Sequence, residues 1–286
     1  MQSTPKHENA ETRYLDTNQH RYAYRRLGPD AGVPLVLCHR FRGTMDDWDP
    51  DVINGFAKER PVIIFDNAGV GNSSGSVPNS IAEMAAHVAA VIRGLNFEQV
   101  DLLGFSMGGY IAQTVALDFP QLVRRVILAG TGPGGGEGIV PGGPDVRPVA
   151  GRAVLGLEEF QFLFFTKSEE SLSASRDYWE RLKRREGPIE PAVSPEGVQA
   201  QVAAITAWTQ GRGNAYPRLG EIKQPVLVAN GHNDVMVPTP NSFVMSQKLA
   251  NATLIIYPDS GHGFLFQYPD QFVSHALQFL RSTQGL

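Results

Sequence analysis

The chain has 286 residues, with 25 lysines and arginines against 29 aspartates and glutamates, so its formal net charge at pH 7 is −4. This length suits one large α/β domain with a sizeable core. The 42 % of apolar and 19 % of charged residues argue against an intrinsically disordered chain. The mild acidity argues against a nucleic-acid-binding protein, which normally carries a basic face.

The single cysteine, Cys38, excludes an internal disulfide and a metal cluster bound by several cysteines. The first ten residues predict a polar tail and lack the basic start and apolar stretch of a signal peptide. No window approaches the roughly eighteen apolar residues of a membrane-spanning helix. We therefore expect a cytoplasmic protein that has no membrane partner.

Short apolar runs recur along the chain and predict strands. Residues 11–27 contain two extended stretches on either side of Asn18 and Gln19, which predict a hairpin. Further runs rich in β-branched residues lie at 34–39, 61–66, 100–104, 123–129, 225–229 and 253–257. Runs without polar alternation are typical of strands buried on both faces, as in a parallel sheet.

Helical patterns lie between these runs. Ser80 and Glu83 form a capping-box pair before apolar residues at three- and four-residue spacing. Residues 110–118 predict a helix that stops at Pro120, and another helix begins near Pro269. Strands that alternate with helices predict an α/β fold with a doubly wound, mostly parallel sheet and right-handed crossovers.

One region interrupts this alternation. Residues 132–144 are rich in glycine and proline, but the Gly-Lys-Ser/Thr of a phosphate-binding loop does not follow, which favours a flexible linker. Helical, aromatic-rich sequence then continues until the strand pattern resumes near Pro225. We interpret residues 134–221 as a helical insertion into a core formed by residues 1–133 and 222–286.

The main chemical signal is the serine of Gly-Phe-Ser-Met-Gly at 104–108, between a predicted strand and a helix. Gly104 and Gly108 leave room for a tight turn that lifts the Ser106 hydroxyl above the sheet. A serine hydroxyl is a poor nucleophile near neutral pH unless a base takes its proton. We predict that Ser106 is a catalytic nucleophile; the alternative is a Gly-Ser-Gly turn without chemistry.

His262 and Asp234 are the predicted base and orienting acid. His262 follows the last predicted strand, and flanking glycines let its loop reach the Ser106 turn. Asp234 follows the strand at 225–229, and its carboxylate would hold the imidazole tautomer and stabilise the imidazolium. Asp259 is closer to His262 in sequence, but we expect it to shape the turn. The alternatives are a surface histidine and an Asx-turn aspartate.

The negative charge that forms on an attacked carbonyl oxygen needs N–H donors, which together form an oxyanion hole. The Met107 N–H, at the start of the predicted helix, is one candidate. The second candidate is the Phe41 N–H, in the loop after the first parallel strand. Simple apolar lining is the alternative role for Phe41.

The order Ser106, Asp234, His262, together with the Gly-Phe-Ser-Met-Gly-Gly turn, resembles the α/β-hydrolase superfamily, from about residue 11 onward. Residues 66–73 look like that family's Asp-x-x-Gly-x-Gly-x-Ser turn, which is structural there. No helix is predicted directly after this turn, so it is not interpreted as a dinucleotide-binding motif. The resemblance implies that the insertion is a lid over the active site. The serine turn is similar to those of cofactor-free haloperoxidases and carboxylesterases.

Arg40 departs from the family pattern, which usually has glycine between the histidine and the oxyanion donor. A positive φ at Arg40 would strain the backbone. Arg40 and Arg42 could bind an acidic group of the substrate. We instead expect them to pair with the nearby carboxylates of Asp46, Asp47 or Asp49.

These features predict an enzyme, a serine hydrolase that cleaves a small-molecule carboxylic ester or lactone through an acyl-enzyme, without a metal or organic cofactor. Perhydrolase or cofactor-free haloperoxidase activity and carbon–carbon bond hydrolysis are alternatives on the same triad. A ligand receptor or pseudoenzyme of this fold is the non-catalytic alternative. We expect Phe162 and Phe165 to pin the lid to the core and residues 132–143 to form its hinge. The sequence does not predict the oligomeric state.

Overall fold

The computed structural model describes residues 6–17 and 19–282. The strands of this part of the chain are β1 (Arg13–Asp16), β2 (Arg21–Leu27), β3 (Leu35–Cys38), β4 (Val62–Phe65), β5 (Val100–Phe105), β6 (Val123–Ala129), β7 (Val226–Gly231) and β8 (Ala252–Tyr257). They form one sheet in the order β1-β2-β4-β3-β5-β6-β7-β8. The pairs β1–β2 and β2–β4 are antiparallel, and the other pairs are parallel. The predicted mostly parallel sheet is therefore confirmed.

Helices cover both faces of the sheet. They are α1 (Pro50–Ala57), α2 (Ile81–Gly94), α3 (Met107–Asp118), α4 (Val146–Ala150), α5 (Leu157–Phe164), α6 (Glu169–Leu182), α7 (Pro195–Thr209), α8 (Pro240–Lys248), α9 (Phe264–Gln267) and α10 (Pro269–Arg281), with short 3-10 turns at Met45–Asp47, Pro120–Leu122 and Tyr216–Glu221. Alternate residues of one strand enter different apolar layers. Leu35 and Leu37 join one cluster, and Val36 and Cys38 join the other.

Local sequence signals set most helix boundaries. The Ser80 hydroxyl accepts a hydrogen bond from the Glu83 N–H at 3.2 Å and so begins α2, as predicted. The helix before Pro120 begins at Met107 rather than at residue 110, because the turn at Ser106 leads directly into it. Its end at Asp118 agrees with the prediction.

The polar-tail prediction is wrong where the N-terminus is described. His7 is 3 % exposed and its N–H donates to Asn54 Oδ1 at 2.8 Å, while Ala10 lies in the apolar core. Burial is the main cause that lowers the pKa of His7 to about 4, so the ring is neutral at pH 7. Residues 1–5, and Asn18 of the predicted hairpin, lie outside the described residues. The two strands of the predicted hairpin are present, and they pair with each other from Arg13 opposite Tyr24 to Asp16 opposite Arg21.

The segment between β6 and β7 holds α4 to α7. Phe165 of this segment is 6 % exposed and packs in the core cluster, whereas Phe162 is 39 % exposed, so the predicted pinning role of Phe162 is wrong. Phe162 misses the core because it falls on the outward face of α5. The glycine-rich stretch is held by hydrogen bonds, one of them from Gly135 N–H to Trp208 O at 3.0 Å. Its predicted hinge role, and the division into core and lid, remain predictions.

A buried ion pair joins this segment to α1. Arg181 on α6 donates to both carboxylate oxygens of Asp49, at 2.9 and 2.6 Å, and also to the Phe266 carbonyl at 2.7 Å. Asp49 is fully buried and caps α1 through the Asp51 N–H. Removing either charge would destabilise the fold, because the remaining charge would be buried without its partner.

Replacing Asp49 by alanine should lower the free energy of unfolding by about 3–5 kcal/mol, because the buried Arg181 guanidinium loses both short bonds to a carboxylate and keeps only the Phe266 carbonyl and Asp51 at 3.4 Å. Urea denaturation measures this loss. Glu180→Ala is the matched control, since Glu180 and its partner Lys183 are both exposed, and it should change stability far less. Equal effects of the two substitutions would show that the buried pair does not anchor the segment.

Candidate active site

Ser106 occupies a strained turn at the end of β5. Its φ is +57° and its ψ is −120°, a conformation that an L-residue rarely adopts. Glycines permit the turn, because a Cβ on Gly104 would lie 2.3 Å from Gly108 O and one on Gly108 would lie 2.0 Å from Cys38 O. Ser106 is 7 % exposed, and its side chain does not cap α3. The hydroxyl is therefore not used to stabilise the helix that follows it.

Two hydrogen bonds with neighbouring segments hold Ser106 in this strained conformation. The Ser106 N–H donates to Ala129 O at 2.9 Å, and the Thr131 hydroxyl donates to Ser106 O at 2.8 Å. Thr131 also fills the space beside Gly109, where a Cβ would approach it to 2.5 Å. Sequence reasoning missed Thr131, because it lies in the loop after the neighbouring strand and has no motif of its own.

Asp234 and His262 form a buried pair. His262 Nδ1 lies 2.7 Å from Asp234 Oδ2, and both side chains are fully buried. The other oxygen, Asp234 Oδ1, accepts the N–H groups of Met236 and Val237 at 2.8 and 2.9 Å. Asp259 instead accepts the hydroxyls of Thr166 and Ser168. The structure therefore brings Asp234, not Asp259, to the histidine, as the sequence predicted.

The surroundings of His262 leave one nitrogen unused. The imidazole packs between the rings of Phe105 and Phe164, with centroids 5.0 and 5.3 Å away. Since Nδ1 faces the carboxylate, we assign the proton to Nδ1, which makes Nε2 an acceptor. Nε2 is buried and has no hydrogen-bond partner among the described residues, Ser106 included. It is the atom that could accept a proton.

The loop after β3 is fixed at its start by its own histidine. His39 Nδ1 accepts the Arg40 N–H at 2.7 Å, and the ring packs against Trp48 in a tilted arrangement with centroids 4.5 Å apart. Burial is the main cause that lowers the pKa of His39 well below its usual range, so the ring is neutral. A Cβ on Gly43 would lie 1.9 Å from this ring. Sequence reasoning did not give His39 this role.

The two arginines of the loop behave differently. Arg40 pairs with Asp47 at 2.8 Å, as expected. The same expectation is wrong for Arg42, whose guanidinium donates to main-chain carbonyls of the segment after α4. The positive φ also falls on Arg42, at 60°, and not on Arg40. The backbone strain of this loop therefore lies one residue after Phe41 rather than one residue before it.

The two predicted oxyanion donors lie on adjoining segments. The first turn of α3 abuts the start of the loop after β3, because a Cβ on Gly108 would lie 2.0 Å from Cys38 O and 2.8 Å from His39 O. Within residues 6–17 and 19–282, neither Phe41 N–H nor Met107 N–H donates to a protein acceptor. Both groups are therefore available to a ligand, and their catalytic role stays a prediction.

A cavity of about 350 Å³ is lined by residues of α3, of α7, of the glycine-rich stretch and of the loop that follows Asp234. Its walls include Tyr110, Trp208, Ile139, Val140, Met236 and Val237. The Tyr110 ring stacks on Trp208 with centroids 5.0 Å apart, and burial raises the pKa of the Tyr110 hydroxyl, which stays neutral. A cavity with such walls suits an apolar group.

The described residues contain neither a cluster suited to a metal ion nor a helix suited to a membrane. No cluster of three or more His, Cys, Asp or Glu side chains in this part of the chain is arranged to hold a metal ion. None of the described helices has the length and apolar character needed to cross a membrane.

The family model of the alpha/beta hydrolase fold matches residues 33–269, and the chain belongs to this family. A solved structure of an alpha/beta hydrolase fold protein from Chitinophaga pinensis is 38 % identical, with a TM-score of 0.90, and the match covers 97 % of this chain and 100 % of that one. The resemblance stated from the serine turn and the residue order is therefore confirmed.

Curated relatives of this chain carry several activities in their names. A non-heme chloroperoxidase of Streptomyces lividans is 27 % identical over 91 % of this chain and 95 % of its own length. A 2-hydroxy-6-oxo-6-phenylhexa-2,4-dienoate hydrolase of Comamonas testosteroni is 25 % identical over 90 % of this chain and 81 % of its own.

Gly104→Ala should displace the Ser106 turn, because the new methyl group would overlap Gly108 O. We expect a loss of about 1–3 kcal/mol in the free energy of unfolding, typical of overpacking, measured by urea denaturation. Gly220→Ala is the control, since a Cβ there would meet its nearest atom, Lys248 O, only at 3.6 Å. Equal stability of both variants would contradict the tight turn.

Proposed function

We propose that the protein is a serine hydrolase that cleaves a small, neutral carboxylic ester or lactone through an acyl-enzyme. The observation that carries this proposal is the buried Asp234–His262 pair, 2.7 Å apart, with an unpartnered Nε2. The His262 ring lies 5.0 Å from the ring of Phe105, the residue that precedes Ser106. Acyl transfer uses a nucleophile, a base and an orienting acid, and here the three candidates follow the ends of parallel strands.

In the proposed reaction the Ser106 oxygen attacks the carbonyl carbon while His262 Nε2 takes the hydroxyl proton. The carbonyl electron pair moves to its oxygen, and the Phe41 and Met107 N–H groups donate to that oxyanion. The tetrahedral intermediate then collapses, and the leaving oxygen takes the proton from His262 and departs as the alcohol. The acyl group remains on Ser106. Water then attacks this ester with the same base and releases the acid. No step needs a metal or an organic cofactor.

The charge around the site favours a neutral substrate. Arg40 is engaged by Asp47, and Arg42 by main-chain carbonyls, so neither guanidinium is free for a substrate carboxylate. The cavity of about 350 Å³ has the side chains of Tyr110, Trp208 and Ile139 among its walls, and none of its lining residues is charged. We therefore place the acyl chain in this cavity, next to Tyr110 and Trp208.

Perhydrolysis is a second candidate, favoured by the chloroperoxidase name of the Streptomyces lividans relative. Hydrogen peroxide would replace water in the attack on the acyl-enzyme and release a peracid. The two activities share every proposed residue. Carbon–carbon bond hydrolysis would also need a group that protonates a carbanion, and we assign none.

Ser106→Ala should abolish hydrolysis of p-nitrophenyl esters, and Asp234→Asn should lower kcat about 10⁴-fold, because the amide stabilises the wrong imidazole tautomer. Steady-state kinetics measure both changes. Asp259→Asn is the matched control in the neighbouring loop, and its kcat should stay within a few-fold of the wild-type value. A wild-type kcat for Asp234→Asn would refute the assigned base and acid.

Ile139→Trp should shorten the preferred acyl chain, because the indole would fill part of the cavity of about 350 Å³. The measurement is kcat/KM for p-nitrophenyl esters from acetate to octanoate, with the loss confined to the longer chains. Val154→Trp, at a 79 % exposed position, is the control. An unchanged chain-length profile for Ile139→Trp would show that the acyl chain does not bind in this cavity.

A further inference from the structure

Arg42 adopts a left-handed backbone conformation, with φ at 60°, that side chains other than glycine and asparagine rarely tolerate. Such a residue persists only where its surroundings hold it. Arg42 directly follows Phe41, whose N–H is a proposed oxyanion donor. The contacts that hold Arg42 therefore affect the position of the Phe41 N–H.

The Arg42 side chain is held by the inserted segment. Its Nη1 donates to Arg152 O at 2.7 Å and to Ala150 O at 3.2 Å, and its Nη2 donates to Ala153 O at 2.9 Å. These carbonyls lie where α4 ends. A planar guanidinium can donate to several carbonyls at once in fixed directions. A lysine ammonium does not have this geometry.

The Arg42 main chain is held by the same segment at a second point. Its N–H donates to Gln201 Oε1 at 2.9 Å, and Gln201, on α7, is 2 % exposed. The other end of this peptide unit is Phe41 O, which accepts Arg40 Nη1 at 3.0 Å. The peptide unit that follows Phe41 is therefore clamped at both ends, by the loop itself and by α7.

Contacts from the core and from the insertion both hold this loop. His39 and Asp47 fix Arg40, and the Gly43 N–H donates to Arg40 O at 3.1 Å, which closes the turn around Phe41 and Arg42. The contacts with α7 and with residues 150–153 come from the insertion and reach Arg42. Gln201 and Met107 also line one small cavity, which places α7 beside the other oxyanion donor.

We infer that the insertion helps to form the oxyanion hole, with Arg42 and Gln201 as positioning residues that hold the Phe41 N–H toward the reacting carbonyl. This inference rests on the proposed function. The insertion then has a role in catalysis besides covering the site. Displacement of α7 or of residues 150–153 would release the donor and slow acyl transfer without touching Ser106, Asp234 or His262.

Two variants test this inference. Gln201→Leu removes the acceptor of the Arg42 N–H, and Arg42→Gly removes the carbonyl contacts while tolerating the positive φ. Each should lower kcat for p-nitrophenyl butyrate about ten- to hundred-fold, since loss of a whole oxyanion donor costs about 10²–10³-fold. KM should change little, because the donor acts mainly on the oxyanion of the transition state.

A sulfur-substituted ester separates positioning from general damage. p-Nitrophenyl thionobutyrate carries sulfur in place of the carbonyl oxygen, and sulfur is the weaker acceptor. The variants should therefore lose less activity on it, so that the ratio of kcat/KM for butyrate to thionobutyrate falls. Arg147→Ala is the control, because Arg147 is an exposed arginine on α4 whose contact, Thr206, lies within the insertion. It should keep the wild-type ratio.

The possible outcomes are distinct. If the wild-type enzyme reacts with a fluorophosphonate probe and both variants keep the wild-type ratio, the inference is overturned while the proposed function stands. Equal losses on both esters, in variants that keep the wild-type thermal midpoint, also overturn it. A wild-type protein that neither hydrolyses esters nor reacts with the probe overturns the proposed function and this inference with it.

Discussion

The hydrogen bond between Asp234 and His262 is the interaction on which the rest of the site depends. It joins the loops after β7 and β8, and it is buried, so the carboxylate needs every partner it has. The N–H groups of Met236 and Val237 supply the remaining contacts to that carboxylate. Because β5, β7 and β8 are parallel, their carboxyl ends share one edge of the sheet, which brings these loops near Ser106.

The residue after Phe41 and the residue before Met107, the two proposed oxyanion donors, both have a strained backbone. Ser106 and Arg42 both have positive φ values, and neighbouring parts of the fold hold each of them. Thr131 and β6 hold Ser106, whereas α7 and residues 150–153 hold Arg42. Parts of the core thus hold the proposed nucleophile, while the inserted segment holds the residue that follows the proposed N–H donor, Phe41. This division follows from the contacts and not from the fold class alone.

The sequence predicted what local pattern determines. The sequence predicts β6 with its observed bounds and a helix that begins near Pro269, because apolar periodicity and proline placement act locally. The position of Asp234 after a strand favours it over Asp259 as the partner of His262, and the structure agrees. The burial of His7 and the carbonyl contacts of Arg42 were not predictable, since both depend on partners distant in sequence. The carboxylates close to Arg42 in sequence are not its partners for the same reason.

If Ser106 is the nucleophile, it carries the acyl group during turnover, and peptide mapping by mass spectrometry tests this most directly. The enzyme would be mixed with a p-nitrophenyl ester, quenched in acid within the first turnover and digested. We predict one acyl adduct, on the peptide that contains Ser106, and its absence from Ser106→Ala. An adduct on another residue, or hydrolysis by the Ser106→Ala variant at the wild-type rate, would contradict the account.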